Sequence, residues 1–282
     1  MKIIIGSAKF GFKYGLNKKK ITKLEINLIE KILKKNSLQK FDTAMNYGES
    51  ENIIGNLNIK KKIITKIKLP EKKPKNLKLW FKKKLENSLK KLKSKDIYGL
   101  LIHDTSDILG KNREFLNILL DFKKKNFISK LGVSVYEIGE IKKILKFWKP
   151  DIIQIPLNVF DQRFLKNDFL KKIKRSGIEI HARSCFLQGI LLSSRLNIGN
   201  SKSKKIFRNF VKWCKKNKIS QLTACLHFIK KEDFIDFLII GFQNSVELEE
   251  IIEAFNKKNI KVPSEFINNE KKVIDPRTWD FK

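Results

Sequence analysis

Eight short apolar runs recur along this 282-residue chain, each followed by a stretch with helical periodicity. They cover residues 3–8, 40–42, 62–66, 96–103, 129–135, 151–155, 178–183 and 237–241. Their length suits buried strands, and the segments between them suit amphipathic helices. The clearest helix is expected over 75–92, where Leu77, Phe81, Leu85, Leu89 and Leu92 form one stripe. Others place Leu24, Leu28 and Ile32 on one face of 22–35, and Phe115, Leu119 and Phe122 on a second. Ile138, Ile141 and Leu145 mark a third, and Phe164, Leu165, Phe169 and Ile173 a fourth that stops at Gly177. Two helical segments are expected near 202–217 and 220–231. A last one carries Val246, Ile251 and Phe255, with Asn244 as its cap and Glu247 at the capping-box position.

Strands that alternate with helices imply a parallel sheet. Eight such units in this length predict an α/β fold of the (β/α)8 barrel type, with eight parallel strands. An open doubly wound sheet usually carries Gly-x-Gly-x-x-Gly after its first strand, and Gly6-Ser7-Ala8-Lys9-Phe10-Gly11 does not match. Phe10-Gly11 is expected in a loop. No linker or composition break divides the chain, so one domain is expected over 1–282, with 259–282 as a C-terminal tail.

Composition narrows the functional classes. The formal net charge is +33. Its lysines recur in nearly every helix and greatly outnumber the arginines, which favours solvated helix faces over a specific nucleic-acid surface. No run of about 18 apolar residues is present, so no membrane span is expected. The apolar run at the N-terminus is too short for a signal peptide. Cys185, Cys214 and Cys225 show no paired spacing, which suits a reduced, cytoplasmic protein. His181 and His227 combine with these cysteines in no recognised metal-ligand pattern, so no metal is expected.

In a barrel of this kind, chemistry lies at the C-terminal strand ends. Asp42 ends the second strand, Lys66 the third and His103 the fourth, while Tyr47 follows in the loop after the second. Ser50 is expected to cap the helix that runs from 49 to 57. A phenol with an ordinary pKa of about 10 is a poor acid at neutral pH. A neighbouring ammonium is expected to lower that value, with Asp42 fixing Lys66 and His103 donating to a carbonyl oxygen. Taken singly, each residue has a structural explanation; four coinciding strand-end residues do not share one.

The stretch Phe41-Asp42-Thr43-Ala44 … Tyr47-Gly48 … Ser50-Glu51 … Gly55 resembles the signature of the aldo-keto reductases. The resemblance implies a catalytic tetrad of Asp42, Tyr47, Lys66 and His103, with Tyr47 as proton donor to a carbonyl substrate and a nicotinamide dinucleotide as hydride source. It implies cofactor contacts from Ser7, Ser134, Gln154, Arg183, Ser184, Phe186, Gln188, Gly241, Gln243, Asn244 and Glu250. Val135 and Leu157 depart from the usual Asn and Tyr, and Arg183 stands where many members stack a Tyr on the nicotinamide. Gln243 replaces a frequent Lys or Arg, while the helix end capped by Asn244 offers amides to an anion, with Glu247 and Glu250 opposing. The resulting expectation is NADP(H), with NAD(H) as the alternative, and a modest NADPH preference of about tenfold or less. The Gly-x-Ala-x-Phe-Gly start and Asp-Pro-Arg-x-Trp end resemble members associated with surface-sugar metabolism. The competing reading is a non-catalytic barrel that binds the cofactor as a redox sensor or binds a protein partner. Oligomeric state and reaction direction are not legible.

Overall fold

A computed structural model describes residues 1–11, 21–110, 113–166 and 168–279. The chain begins with β1 (Lys2–Gly6), α1 (Ala8–Gly11), α2 (Lys23–Lys35), β2 (Lys40–Asp42) and α3 (Ser50–Asn56). Next come β3 (Lys62–Ile67), α4 (Leu77–Leu92), β4 (Ile97–Ile102), α5 (Ser106–Leu109) and α6 (Glu114–Lys124). The second half opens with β5 (Ile128–Ser134), α7 (Ile138–Leu145), β6 (Ile152–Pro156), α8 (Phe169–Arg175) and β7 (Glu179–Arg183). It closes with α9 (Ser201–Lys216), α10 (Gln221–Lys230), β8 (Phe237–Ile240), α11 (Ser245–Asn256) and α12 (Lys271–Ile274). The strands form one closed barrel in sequence order, every pair parallel, with β1 against β8. This is the expected (β/α)8 architecture.

The barrel interior is layered. Ile4, Ile64, Leu101, Ile152, Phe237 and Ile239 pack into an apolar plug. Gly99 leaves room for it, since a Cβ there would meet Ile152 and Ile64 side chains at 3.0 and 3.2 Å. Near the N-terminal strand ends lies a charged floor. Glu179 accepts from Tyr98 (2.8 Å), pairs with Lys130 (2.5 Å) and contacts His181 Nε2 (3.2 Å). Lys40 lies between the Tyr98 and Phe237 rings. Near the C-terminal ends lie Asp42, Lys66 and Gln154. The larger core fills the space between the barrel and its helices.

Several local expectations need correction. Leu24 is 71 % exposed and Leu28 is also exposed, because α2 buries Ile29, Ile32 and Leu33 instead. The face is rotated because two partly exposed leucines happened to share helical spacing with Ile32. Val246 is likewise exposed. The run from Phe164 to Ile173 is a 3-10 turn at Arg163–Leu165 and a separate α8. Phe10-Gly11 closes the single turn of α1 rather than a loop.

Ser50 is the first residue of α3, and Glu49 takes the cap position. The Ser50 hydroxyl bonds instead to Ser7 Oγ (2.7 Å) and Ser7 O (3.0 Å) and lies 3.0 Å from Thr43 Oγ1. Asn244 does cap α11, but Glu247 reaches back to Gln243 N, one residue before the cap. His227 is a satisfied core histidine, bonded to Ala254 O at 2.9 Å and Ile260 N at 3.0 Å.

Gly55 of the signature stretch and Gly11 at the end of α1 are packing requirements. A Cβ on Gly55 would lie 2.0 Å from Lys91 O, so α3 can approach the end of α4 only without one. A Cβ on Gly11 would lie 1.6 Å from Tyr47 O, so α1 must be bare where the Tyr47 loop crosses it. Because the obstacle at Gly55 is backbone, Gly55→Ala is expected to destabilise the protein by about 1–3 kcal/mol, the usual range for overpacking. Urea unfolding of the variant checks this; an unchanged midpoint would show that α3 and α4 separate without cost.

Candidate active site

Barrel closure brings the four sequence-selected residues together. Asp42 is the last residue of β2, Lys66 the penultimate residue of β3, and His103 follows β4 with its amide bonded to Ile67 O. Tyr47 sits in the turn between β2 and α3, where Tyr47 N donates to Ala44 O and Ser50 N to Tyr47 O. Lys66 Nζ donates to Asp42 Oδ1 (2.5 Å) and Thr43 O (2.9 Å), and is 2 % exposed. Gln154 Nε2 donates to the other Asp42 oxygen at 2.8 Å. The Tyr47 ring lies 5.4 Å from Lys66 Nζ and 6.1 Å, edge-on, from the His103 ring. All four residues border one cavity of about 430 Å³.

The electrostatics differ in one respect from the sequence reading. Burial and then the Asp42 charge hold the Tyr47 phenol well above its ordinary value, with Arg183 opposing. The expected lowering by Lys66 is not seen, because burial of the phenol, the larger effect, and the Asp42 charge both favour its protonated form. Burial pulls the Lys66 ammonium down while Asp42 holds it up. His103 is pushed down to about 3 by burial, then by the charges of Lys66, Arg183 and Lys68. At neutral pH this site therefore holds a protonated phenol and a neutral imidazole, both able to donate hydrogen bonds.

The residues expected to meet a cofactor largely converge. Ser7, Ser134, Gln154, Arg183, Ser184, Phe186, Gln188, Gly241 and Gln243 line the same cavity. Glu250 borders an adjoining cavity of about 440 Å³ that shares Phe186, Leu192, Gly241 and Glu247 with the first. Asn244 lines neither; its side chain is committed to capping α11. The residues fit a dinucleotide. Gln154 Oε1 and Gln243 Oε1 are buried without a hydrogen-bond partner, and both residues line the cavity. The loop after β7 holds Ser184, Leu187 and Gln188 at positive φ (63°, 47° and 54°), a strained backbone of the kind kept at ligand sites.

Lys9 and Tyr136 also line the cavity and were not legible. Lys9 is 5 % exposed, but one buried lysine cannot be singled out in a chain so rich in them. Tyr136 lies between two guanidinium groups, Arg183 at 4.3 Å and Arg277 at 3.5 Å from its ring centroid. Arg277 is fixed by both oxygens of the buried Asp275. The Asp275-Pro276-Arg277 segment thus docks the tail onto a wall of the cavity. Among the described residues, no group of three or more His, Cys, Asp or Glu could hold a metal ion. Nor is any described helix long and apolar enough to cross a membrane.

Two outcomes follow from the buried charges. Lys66→Met strands the Asp42 carboxylate and is expected to cost about 3–5 kcal/mol, much of it recovered in the double variant Asp42→Asn/Lys66→Met. Chemical denaturation of both decides this; equal stability of the two variants would mean that the pair is not coupled. For His103 the folded value lies below the ordinary 6.5, so the unfolded chain binds more protons between the two. Its contribution to stability is therefore complete above about pH 6.5 and falls as pH drops toward 3. An NMR titration should show a neutral His103 ring throughout pH 5–8; protonation within that window would refute the assignment.

The sequence matches the family model described as Aldo/keto reductase family over residues 2–273. The aldo-keto reductase AKR11C1 from Bacillus halodurans, in its holo form, superposes with a TM-score of 0.74 at 17 % identity, covering 92 % of this chain and 88 % of that one. The glycerol dehydrogenase AKR11B4 from Gluconobacter oxydans gives 0.69 at 19 % identity, covering 92 % and 87 %. No curated protein sequence matches significantly. These structures share the fold, and the match across nearly the whole sequence, together with the barrel and the four converging residues, makes the chain a member of the aldo-keto reductase family.

Proposed function

We propose that the protein reduces the carbonyl group of a small aldehyde or ketone to an alcohol with a nicotinamide dinucleotide, Tyr47 supplying the proton. The observation that carries this is the buried Lys66–Asp42 pair lying beside a phenol and a neutral imidazole on one cavity wall. When bound, the cofactor supplies a hydride to the carbonyl carbon. A neutral His103 donates a ring N–H to the carbonyl oxygen and so orients it. Tyr47 donates its O–H to the same oxygen and passes the proton as that oxygen becomes an alkoxide. An alkoxide is a far stronger base than a phenolate, so a raised phenol value does not prevent the transfer.

The phenolate left behind takes its proton back from solvent, and the nearby Lys66 ammonium stabilises it meanwhile. Gln154 locks Asp42 in place and offers Oε1 as an acceptor, which suits an amide group on a ligand. Phe186, Leu192 and Phe242 border the cavity and limit water.

This reading treats 1–282 as a single domain. Its tail is the segment 259–282, whose Val262, Phe266, Val273 and Ile274 join the main core. A sugar-derived substrate suits the ends of the sequence, and a cytoplasmic setting suits three buried, unpaired cysteines. Tyr47→Phe is expected to lower carbonyl reduction by on the order of 10²–10⁴-fold while dinucleotide affinity stays nearly unchanged. Turnover followed through nicotinamide absorbance against a panel of aldehydes, ketones and sugar derivatives makes the test. A variant as active as the wild type would exclude Tyr47 as the acid. A wild type that binds the dinucleotide and reduces nothing would favour the non-catalytic sensor.

A further inference from the structure

The two nicotinamide dinucleotides differ by one phosphate on the adenosine ribose, and which of them this chain selects can be argued from the cavity, given the dinucleotide reading above. The reacting end of a dinucleotide must lie at Tyr47 and His103. Gln243 and Glu247, where β8 leads into α11, border the same cavity, with β8 across the barrel from the β4 that carries His103, and the adenosine end is assigned to that side. A bare helix start there would be a good phosphate site, because its amides and dipole both favour an anion. Here the amides of Gln243, Ser245 and Glu247 are already taken. Gln243 N donates to Glu247 Oε2 at 2.7 Å. Glu247 N donates to Asn244 Oδ1 at 2.8 Å. Ser245 N donates to Glu25 Oε1, a carboxylate brought in from α2, which packs against α11.

The charges point the same way. Gln243 is neutral, so no guanidinium fork is available at that position. The Ser245 hydrogen bonds hold the Glu25 carboxyl below its ordinary value, so it is ionised at neutral pH. Lys9 also lines the cavity; burial pulls its ammonium below the ordinary value and the nearby Glu247 carboxylate, which it faces, opposes this. An incoming phosphate would bring about two negative charges to a helix end that already carries two carboxylates. A ribose hydroxyl, by contrast, can donate a hydrogen bond to a carboxylate.

We infer that Glu25 and Glu247 select NADH over NADPH by occupying the Ser245 and Gln243 amides where β8 leads into α11 and repelling the ribose phosphate. This reverses the modest NADPH preference expected from the sequence, which treated the helix end at Asn244 as open. Glu25 was not legible as part of this site, because it lies 220 residues away in sequence from Ser245.

The test is direct binding of both reduced dinucleotides to the full chain, by calorimetry at fixed ionic strength. Wild type should bind NADH at least about tenfold more tightly than NADPH, equivalent to about 1.4 kcal/mol. Glu25→Ala should tighten NADPH by about tenfold and move NADH much less. Glu25→Gln, which keeps an acceptor for Ser245 N but removes the charge, should move NADPH in the same direction by a smaller factor. The inference is overturned if wild type binds NADPH as tightly as NADH or more so. It is also overturned if both Glu25 variants change the two affinities alike or not at all. Binding of neither dinucleotide to the wild type overturns the dinucleotide reading itself, and this selection with it.

Discussion

A lysine ammonium shut away from solvent persists only where a carboxylate stands against it, and that constraint governs this structure. Removing either charge of a buried pair leaves the other uncompensated in a low dielectric, where the cost is several kcal/mol. Lys66 and Asp42 meet only because β2 and β3 are neighbours in the closed barrel, with Asp42 in register with Ile64. Thr43 O and Gln154 Nε2 complete the hydrogen bonding of the pair. The hydroxyls of Ser7, Thr43 and Ser50 then tie the end of β1, the end of β2 and the start of α3 together. Much of the signature stretch is therefore a device for holding the charged pair and the Tyr47 turn in one place. Glu51 belongs to the same framework: buried, it accepts from Thr65 and Ser88 and so clamps α3 to β3 and α4.

Perturbed acidity alone would not have located the site. The floor of the barrel is strongly perturbed as well as its mouth. Glu179 is held at about 2 although its burial opposes this, because His181, Lys130 and Tyr98 all donate to it. Lys40 falls to about 8, mainly through burial. The apolar plug separates the two charged layers and keeps each from neutralising the other. What distinguishes the upper layer is geometric. It faces a cavity at the C-terminal strand ends, where the loops after each strand can shape a ligand site. The floor reads as a structural network, with Glu179 accepting at both of its oxygens.

Strand positions were legible because each strand is an apolar run bounded by polar or glycine-containing turns, and eight runs leave few topologies. Asp42, Lys66 and His103 were legible for the same reason: a strand end fixes the position of its side chain within one residue. Helix faces were less so, as α2 shows. Leu24, Leu28 and Ile32 satisfy helical spacing, yet the buried set is Ile29, Ile32 and Leu33, and only the packing partner decides between them. Ser50 misled in another way. Its side chain can cap a helix or bond across the fold, and the second option won because Ser7 lies beneath it. The Tyr47 phenol was misjudged because burial, which the sequence does not show, and the Asp42 charge were left out beside the lysine. Tyr136, between Arg183 and Arg277, joins residues far apart in sequence, and no local pattern encodes that meeting.

The net charge of +33 and the carboxylates at the start of α11 act on different length scales. Exposed lysines spread over many helices produce a broad positive potential, screened beyond about 8–10 Å at ordinary ionic strength. Such a potential draws any anion toward the protein, and both dinucleotides are anions. It can raise the affinity of both without choosing between them, since a choice requires a group that senses one phosphate at contact distance. Within that distance the balance at the α11 start is reversed, with Glu25 and Glu247 holding amides that an anion would otherwise use. A strongly basic protein can therefore carry a locally acidic helix end, and the contact groups rather than the total charge set the discrimination.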